Sequence, residues 1–307
     1  MNALVGYTGF VGSNICRAAG ESIGALYNSK NIEEAYNTAP DLLIYAGLRA
    51  EKYLANNAPD KDYDLILKAE ENIERIRPRK LVLISTIDVF KNPAGVDETT
   101  DVDTKDLHPY GLNRYRLEEW VRDRYEDALI IRLPGLFGIN IRKNLIYDII
   151  NVIPFMLRED KFNELSLRDE ALKNYYIKQD NGFYKVNADS KDREELKDRF
   201  RALGFSALNF TDSRSVYQFY DLSGLWDDIN TALQDDIRLW HPATEPVSAA
   251  EIYEYLTGAE FVNELPGKPA FYDYRTIHDR VFGGHDGYIM GKREVLRRIH
   301  DFTQSLQ

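Results

Sequence analysis

Cysteine is almost absent: Cys16 is the only one among 307 residues, which rules out an internal disulfide and any cysteine-based metal cluster. The histidines, His108, His241, His278, His285 and His300, show no ligand spacing, so no metal site is expected. Nowhere does an apolar run approach the roughly 18 residues needed to cross a bilayer, and no membrane association is expected. Positive charge is also short, with 39 Lys and Arg against 50 Asp and Glu and a formal net charge of −11. That balance argues against nucleic-acid partners, because such binders need a basic face to displace counterions. No leading segment precedes the first apolar run at Ala3–Val5, and with one cysteine this leads to the expectation of a cytoplasmic, reducing setting. Internal repeats and low-complexity tracts are missing as well. What remains is a chain 44% hydrophobic and 29% charged, enough for a sizeable core in one large α/β unit or two packed lobes.

The first half alternates short apolar runs with helical patterns, the signature of parallel βαβ units. Strands are predicted at Ala3–Val5, Ile23–Tyr27, Asp41–Ala46, Lys80–Ser85 and Ala128–Leu133, with helices near Val11–Ala19, Asp60–Ile76 and Tyr110–Tyr125. The last three strands are near-continuous apolar runs, as expected when helices cover both sheet faces. Right-handed crossovers then bring the carboxyl ends of all five strands to one edge, where open α/β sheets bind their ligands. The fold class is therefore a doubly wound parallel sheet of Rossmann type. Residues 1–155, completed by about 213–245, are predicted to form the dinucleotide-binding domain. Residues 156–212 and 246–307 are predicted to form a smaller, mostly helical substrate-binding lobe.

The stretch around which this edge is organised is Gly6-Tyr7-Thr8-Gly9-Phe10-Val11-Gly12, directly after the first strand. Gly6 permits the tight turn, Gly9 lets backbone approach a pyrophosphate, and Gly12 allows close helix–strand packing. The following helix supplies free N–H groups and a partial positive charge. The fourth strand ends in Ser85-Thr86, hydroxyls that either cap a turn or face a ligand. Further on, Pro109-Tyr110-Gly111-Leu112-Asn113-Arg114 puts Tyr110 and Arg114 four residues apart on one helix face. A phenol near pKa 10 is a poor proton carrier at neutral pH unless a cation favours its phenolate. Arg114 is placed to be that cation, and Thr86 to hydrogen-bond a developing oxyanion.

Taken together, these segments resemble the extended branch of the short-chain dehydrogenase/reductase superfamily, whose members reduce, epimerise or dehydrate nucleotide sugars. The glycine loop, Tyr45-Ala46-Gly47, Ser85-Thr86-Ile87-Asp88-Val89-Phe90, Tyr110 to Arg114, and Ile131-Arg132-Leu133-Pro134-Gly135 follow the family's motif order. Ser85-Thr86, Val89-Phe90 and Lys143-Asn144-Leu145 are most similar to the dTDP-4-dehydrorhamnose reductase group. The resemblance implies Thr86, Tyr110 and Arg114 as catalytic residues. It implies Gly6, Thr8, Gly9, Phe10, Val11, Gly12, Ala46, Gly47, Tyr110, Arg114 and Pro134 as cofactor contacts, with a homodimer formed through two helices per subunit. Asp88, Asn144 and Arg49 are candidates for contact with a nucleotide-linked sugar, and Arg142, Arg214 and Arg275 are available to hold its phosphates.

Three departures bear on the chemistry. Arg114 stands where the family has lysine, and a planar guanidinium does not replace a compact ammonium conservatively. Gly135 occupies the position of a substrate-binding Asn in many relatives. Ile87-Asp88 replaces an Asp-Glu pair, which disfavours dehydration. The alternative to an active enzyme is a non-catalytic dinucleotide-binding protein that serves as sensor or assembly partner, with Arg114 as its main support. NADP is favoured over NAD, since Asn28, Ser29 and Lys30 follow the second strand where an acid would select NAD.

Overall fold

The computed structural model describes residues 1–189 and 191–306. The chain divides into two compact units, one comprising Met1–Asn140, Tyr217–Val247 and Phe271–Ile299, the other Ile141–Val216, Ser248–Ala270 and His300–Gln307.

The first unit is built on six parallel strands: β1 (Asn2–Val5), β2 (Ala25–Tyr27), β3 (Leu42–Tyr45), β4 (Lys80–Thr86), β5 (Leu129–Leu133) and, beyond a second short pair, Leu239–Trp240. That pair is β6 (Gly135–Phe137) with β7 (Phe219–Asp221), also parallel, so Leu239–Trp240 is β8. The central order is β8-β5-β4-β3-β1-β2. The chain leaves β1 for one edge and returns for the other, creating a switch point between β1 and β3.

Helices lie on both faces: α1 (Phe10–Ala19), α2 (Lys52–Asn57), α3 (Pro59–Ile76), α4 (Pro109–Arg124) and α5 (Leu225–Gln234). The strands serve both faces by strict alternation. Leu4, Ile44, Val82, Leu129 and Ile131 pack against Ile15 of α1 and Trp226 and Ile229 of α5. Ala3, Val5, Leu43, Leu81, Leu83 and Ile130 pack against Ile66, Ile73 and Ile76 of α3 and Leu117 and Val121 of α4. Pro59 and Pro109 open α3 and α4 at positions whose N–H would be unpaired anyway.

In the second unit, residues 156–212 are mostly helical, as expected, but also hold a small sheet that was not foreseen. Met156–Arg158, Phe183–Val186 and Tyr176–Lys178 form an antiparallel three-stranded sheet in that order. Helices Glu159–Arg168 and Asp192–Leu203 accompany it. Phe162, Leu165, Tyr176, Leu196 and Phe200 form its core, and Phe162 stacks on Tyr184 with centroids 3.9 Å apart. The sheet was hidden because its strands are three or four residues long and carry lysines. The turn that makes the hairpin, Gln179-Asp180-Asn181-Gly182, is a standard hairpin signal nonetheless, with Gly182 at φ +79°. Helix Ala249–Thr257 starts at a Ser248 cap, in a reciprocal capping box with Glu251. Lys292–Gln304 is the final helix.

Candidate active site

A cleft of about 730 Å³ opens at the carboxyl ends of β1, β3, β4 and β5, lined entirely by first-unit residues. One end of it is made of backbone. Gly6 takes φ +92°, and a Cβ there would stand 2.4 Å from the Ala46 carbonyl oxygen. A Cβ on Gly12 would lie 2.2 Å from the Gly6 carbonyl oxygen. The turn is closed by Gly6 N–H to the Tyr27 carbonyl at 2.7 Å and Gly9 N–H to the Gly6 carbonyl at 2.9 Å. Helix α1 then begins with no side-chain cap and no acid in its first turn. Its leading N–H groups and partial positive charge are thus unopposed, the arrangement that receives a phosphate group. A dinucleotide therefore fits what the backbone offers here.

Thr8, Gly9, Phe10, Val11, Ala46, Gly47, Pro134, Asn28 and Ser29 all line this cleft, as expected from the sequence. Gly12 does not; it is buried behind the loop, consistent with a packing role. Lys30 lies beside them but is not itself part of the lining. Its amide donates to Asn28 Oδ1 at 2.8 Å within a local turn, and the residue is exposed and outside the cleft lining. The Asn28 turn is closed also by Asn28 N–H to Asn31 Oδ1 at 2.8 Å. No acidic side chain from the end of β2 lines the cleft.

The other end is made of side chains. Thr86 terminates β4, and its hydroxyl accepts the Asp88 N–H at 3.2 Å. Tyr110 sits on the first turn of α4 and is buried, with its backbone N–H donating to Asn56 Oδ1 of α2 at 3.0 Å. His108 caps this helix through Nδ1, which accepts the Gly111 N–H at 3.0 Å. Gly111 is required for the approach, since a Cβ there would be 2.1 Å from the Asp88 carbonyl oxygen. The Thr86 hydroxyl acts on the Tyr110 phenol to lower its pKa, and the Arg114 guanidinium carbon lies 4.1 Å from the Tyr110 ring centroid. Burial raises the Tyr110 pKa; the Arg114 charge and the Thr86 bond oppose this, while Asp88 and Asp62 reinforce it. The net direction is upward because burial outweighs the rest, while Arg114 acts in the expected direction and favours ionisation.

Arg114 also has a partner that was not foreseen. Arg114 Nη1 donates to Asp62 Oδ2 of α3, in a pair whose side chains are 4% and 6% exposed. Its Nη2 donates to the Arg49 carbonyl at 2.7 Å. Asn113 Nδ2 also donates to Asp62 at 2.9 Å. A signal did exist: Asp62 is the acid in the buried stripe Asp62, Ile66, Ala69, Ile73 and Ile76 of α3. Lys52 was also missed; its ammonium is 3.1 Å from Asp88 Oδ1, which additionally accepts the Tyr272 hydroxyl at 3.2 Å. Asp88 and Arg49 line the cleft.

Behind Thr86 lies a buried polar chain. Ser85 Oγ donates to Glu118 Oε1 at 2.5 Å, and Arg132 Nη2 donates to Glu118 Oε2 at 2.7 Å. Arg122 Nη2 adds a bond to Oε2 at 2.8 Å, and Arg132 Nη1 reaches His241 Nε2 at 3.4 Å. Glu118 is fully buried, so its charge is held by two guanidinium groups and a hydroxyl rather than by water.

The remaining candidates lie elsewhere. Asn144 belongs to the second unit, where its side chain accepts the Tyr147 N–H at 3.1 Å at the start of helix Leu145–Ile150. Arg214 is committed to Asp212, through bonds of 3.0 and 2.7 Å, and to Glu264. Arg275 lies over the Tyr288 ring at 4.0 Å and donates to the Asp286 carbonyl at 2.8 Å. Both arginines brace loops. Among the described residues, no group of three His, Cys, Asp or Glu is arranged to hold a metal ion, and no helix is long and apolar enough to cross a membrane.

This sheet order, with a glycine turn at the switch point, is a doubly wound parallel sheet of Rossmann type. No family model and no curated protein matches the sequence. Solved structures do match. A dTDP-4-dehydrorhamnose reductase from Bacillus anthracis in complex with NADP aligns with TM-score 0.63 at 15% identity, covering 100% of this chain and 99% of that one. A UDP-glucose 4-epimerase from Thermus thermophilus in complex with NAD aligns with TM-score 0.61 at 13% identity, covering all of both chains. A short-chain dehydrogenase/reductase superfamily protein from Agrobacterium tumefaciens with bound NAD gives TM-score 0.61 at 13% identity, covering 100% and 97%. At these identities the likeness establishes the fold.

Proposed function

We propose that the protein is an NAD(P)-dependent reductase or epimerase acting on a nucleotide-linked sugar. The observation that carries this reading is the convergence of a backbone-built phosphate cradle and the Thr86–Tyr110–Arg114 group on one cleft. The fold shared with enzymes crystallised with NADP or NAD supports the same cofactor class. When bound, a nicotinamide supplies or accepts a hydride at the sugar carbon.

The chain's residues do the rest. The Gly6–Gly12 turn and the free amides of Phe10 and Val11 hold the pyrophosphate, where electrostatics come from backbone dipoles rather than side-chain charge. Asn28 and Ser29 face the adenosine ribose, and the lack of an acid there favours NADP over NAD. Ala46, Gly47 and Pro134 shape the walls. Thr86 and Tyr110 hydrogen-bond the reacting oxygen, with the phenol moving the proton. Asp88 and Arg49 contact the sugar nucleotide. The protein works in the cytoplasm as a homodimer.

Turnover of a panel of nucleotide-linked keto sugars and sugars tests the reading, with reduction followed by the change in reduced nicotinamide absorbance and epimerisation by chromatographic separation of the sugar products. Wild type consumes or interconverts at least one of them, and Tyr110→Phe does not. Equal turnover by both proteins would refute the role of Tyr110.

A further inference from the structure

Both terminal nitrogens of Arg114 are committed to other parts of the first unit. Nη1 donates to the Asp62 carboxylate of α3, and Nη2 donates to the Arg49 main-chain carbonyl at 2.7 Å. Asn113 Nδ2 steadies the first of these acceptors from 2.9 Å and also reaches the Pro59 carbonyl at 3.3 Å. A planar fork with donors on separate nitrogens serves two acceptors that lie apart, where a lysine ammonium offers one compact centre. Because the Arg49 acceptor is a carbonyl, the bond fixes the course of the chain itself.

The segment held in this way has little packing of its own. After Leu48, which packs on the α3–α4 face of the sheet, residues 49–54 are exposed without interruption, and Ala55 is the next buried residue. Helix α2 is six residues long with no side-chain cap, too short to persist unaided. Yet Leu48, Arg49, Ala50 and Glu51 line the cleft directly after the Ala46-Gly47 turn. Two further bonds reach the segment: Asn56 Oδ1 accepts the Tyr110 N–H at 3.0 Å, and Lys52 Nζ lies 3.1 Å from Asp88 Oδ1. Of the three, only the Arg114 bond has a donor that is both charged and buried. It is therefore the strongest tether.

We propose that Arg114 is a positioning residue that ties residues 48–57 to α4 and α3 and so builds one wall of the dinucleotide cleft. The proposal rests on the dinucleotide-dependent reading above and gives Arg114 its part in it. The arginine acts on the cofactor through the segment it holds. Order in the segment and affinity for the dinucleotide are then linked, each favouring the other.

Amide hydrogen exchange read by mass spectrometry over residues 48–57, with calorimetric titration of NADP and NAD, tests the proposal. Arg114→Lys keeps a positive charge opposite Asp62 and gives up the second nitrogen. Exchange over 48–57 is expected to quicken roughly tenfold, with β4 and α5 unchanged, and dinucleotide affinity to fall roughly tenfold. Saturating NADP then slows exchange of the same residues in the variant, as linkage requires. Should Arg114→Lys fold poorly, Asp62→Asn/Arg114→Leu removes the buried charges together and also lacks the Arg49 bond. It is expected to release the same residues. Unchanged exchange over 48–57 would overturn the tether, and so would quickening spread through the whole first unit in both variants. Faster exchange with unchanged affinity, or with no slowing by NADP, would overturn the claim that the segment walls the cleft. The exchange measurement needs no ligand. Binding of neither dinucleotide to wild type would overturn the dinucleotide reading, while local release in the variants would still uphold the tether.

Discussion

The two ends of the cleft are built from different materials. At the glycine turn the contacts come from main chain: a positive φ at Gly6, carbonyls within Cβ distance of Gly6 and Gly12, and the open amino end of α1. At the tyrosine end they come from side chains on four elements, with Thr86 on β4, Tyr110 and Arg114 on α4, Asp62 on α3 and Asn56 on α2. A backbone site tolerates little steric change and is nearly indifferent to charge. A side-chain site tolerates shape changes but depends on which charges cancel. Substitutions should separate these behaviours.

The largest effect is expected at the backbone end. Gly6→Val puts a branched side chain on a φ of +92° against the Ala46 carbonyl, which costs roughly 1–3 kcal/mol in backbone strain alone and abolishes dinucleotide binding. Gly9→Ala, at ordinary φ and with its nearest neighbour 3.2 Å away, keeps the fold and weakens binding less. Calorimetric titration alongside thermal unfolding measures both. If the two variants behave alike, the steric account of the loop is wrong.

At the side-chain end, Tyr110→Phe is expected to lower kcat by about 10²–10⁴, the range for losing a general acid, with dinucleotide affinity unchanged. A parallel loss of affinity would mean that the ring supports the fold of the cleft rather than the chemistry. One layer deeper, Glu118→Ala leaves the buried Arg132 without its carboxylate and should destabilise the protein by about 3–5 kcal/mol in urea unfolding. An unchanged midpoint would show that the Ser85–Glu118–Arg132 chain contributes nothing to holding the end of β4.

His241 closes that chain, and burial together with Arg132 lowers its pKa to about 3. The unfolded chain binds this proton near pH 6.5 while the native protein does not, so stability falls as pH drops from about 6.5 toward 3, by up to about 1.4 kcal/mol per pH unit. His241→Gln should flatten that part of the stability–pH curve; an identical slope would assign acid lability to other groups. The smallest effect is expected from Lys30→Ala, which should change the ratio of NADP to NAD affinities by less than about threefold, the reach of an exposed charge. A larger change would return Lys30 to the cofactor site.

The same contrast explains what could be read from the sequence. Backbone sites announce themselves, because a positive φ and close approach call for glycine at fixed spacing, and Gly6, Gly9 and Gly12 satisfy this within seven residues. The long apolar strands β3, β4 and β5 and helices α1, α3 and α4 were legible within about two residues for the same local reason. Legibility failed where the deciding partner was remote or the element short. Asp62 looked like one more acid on a charged helix until the fold brought it against Arg114. The pairing of β6 with β7 joins residues over 80 positions apart, through strands of three residues.

The central claim is that the first unit's cleft binds a nicotinamide dinucleotide through its glycine turn. Calorimetric titration of the wild-type protein with NADP and with NAD, repeated on Gly6→Val, tests it directly. The account predicts saturable binding to wild type, tighter for NADP, and none to the variant. Absence of binding by either dinucleotide to a folded wild-type protein, or equal binding by both proteins, would contradict it.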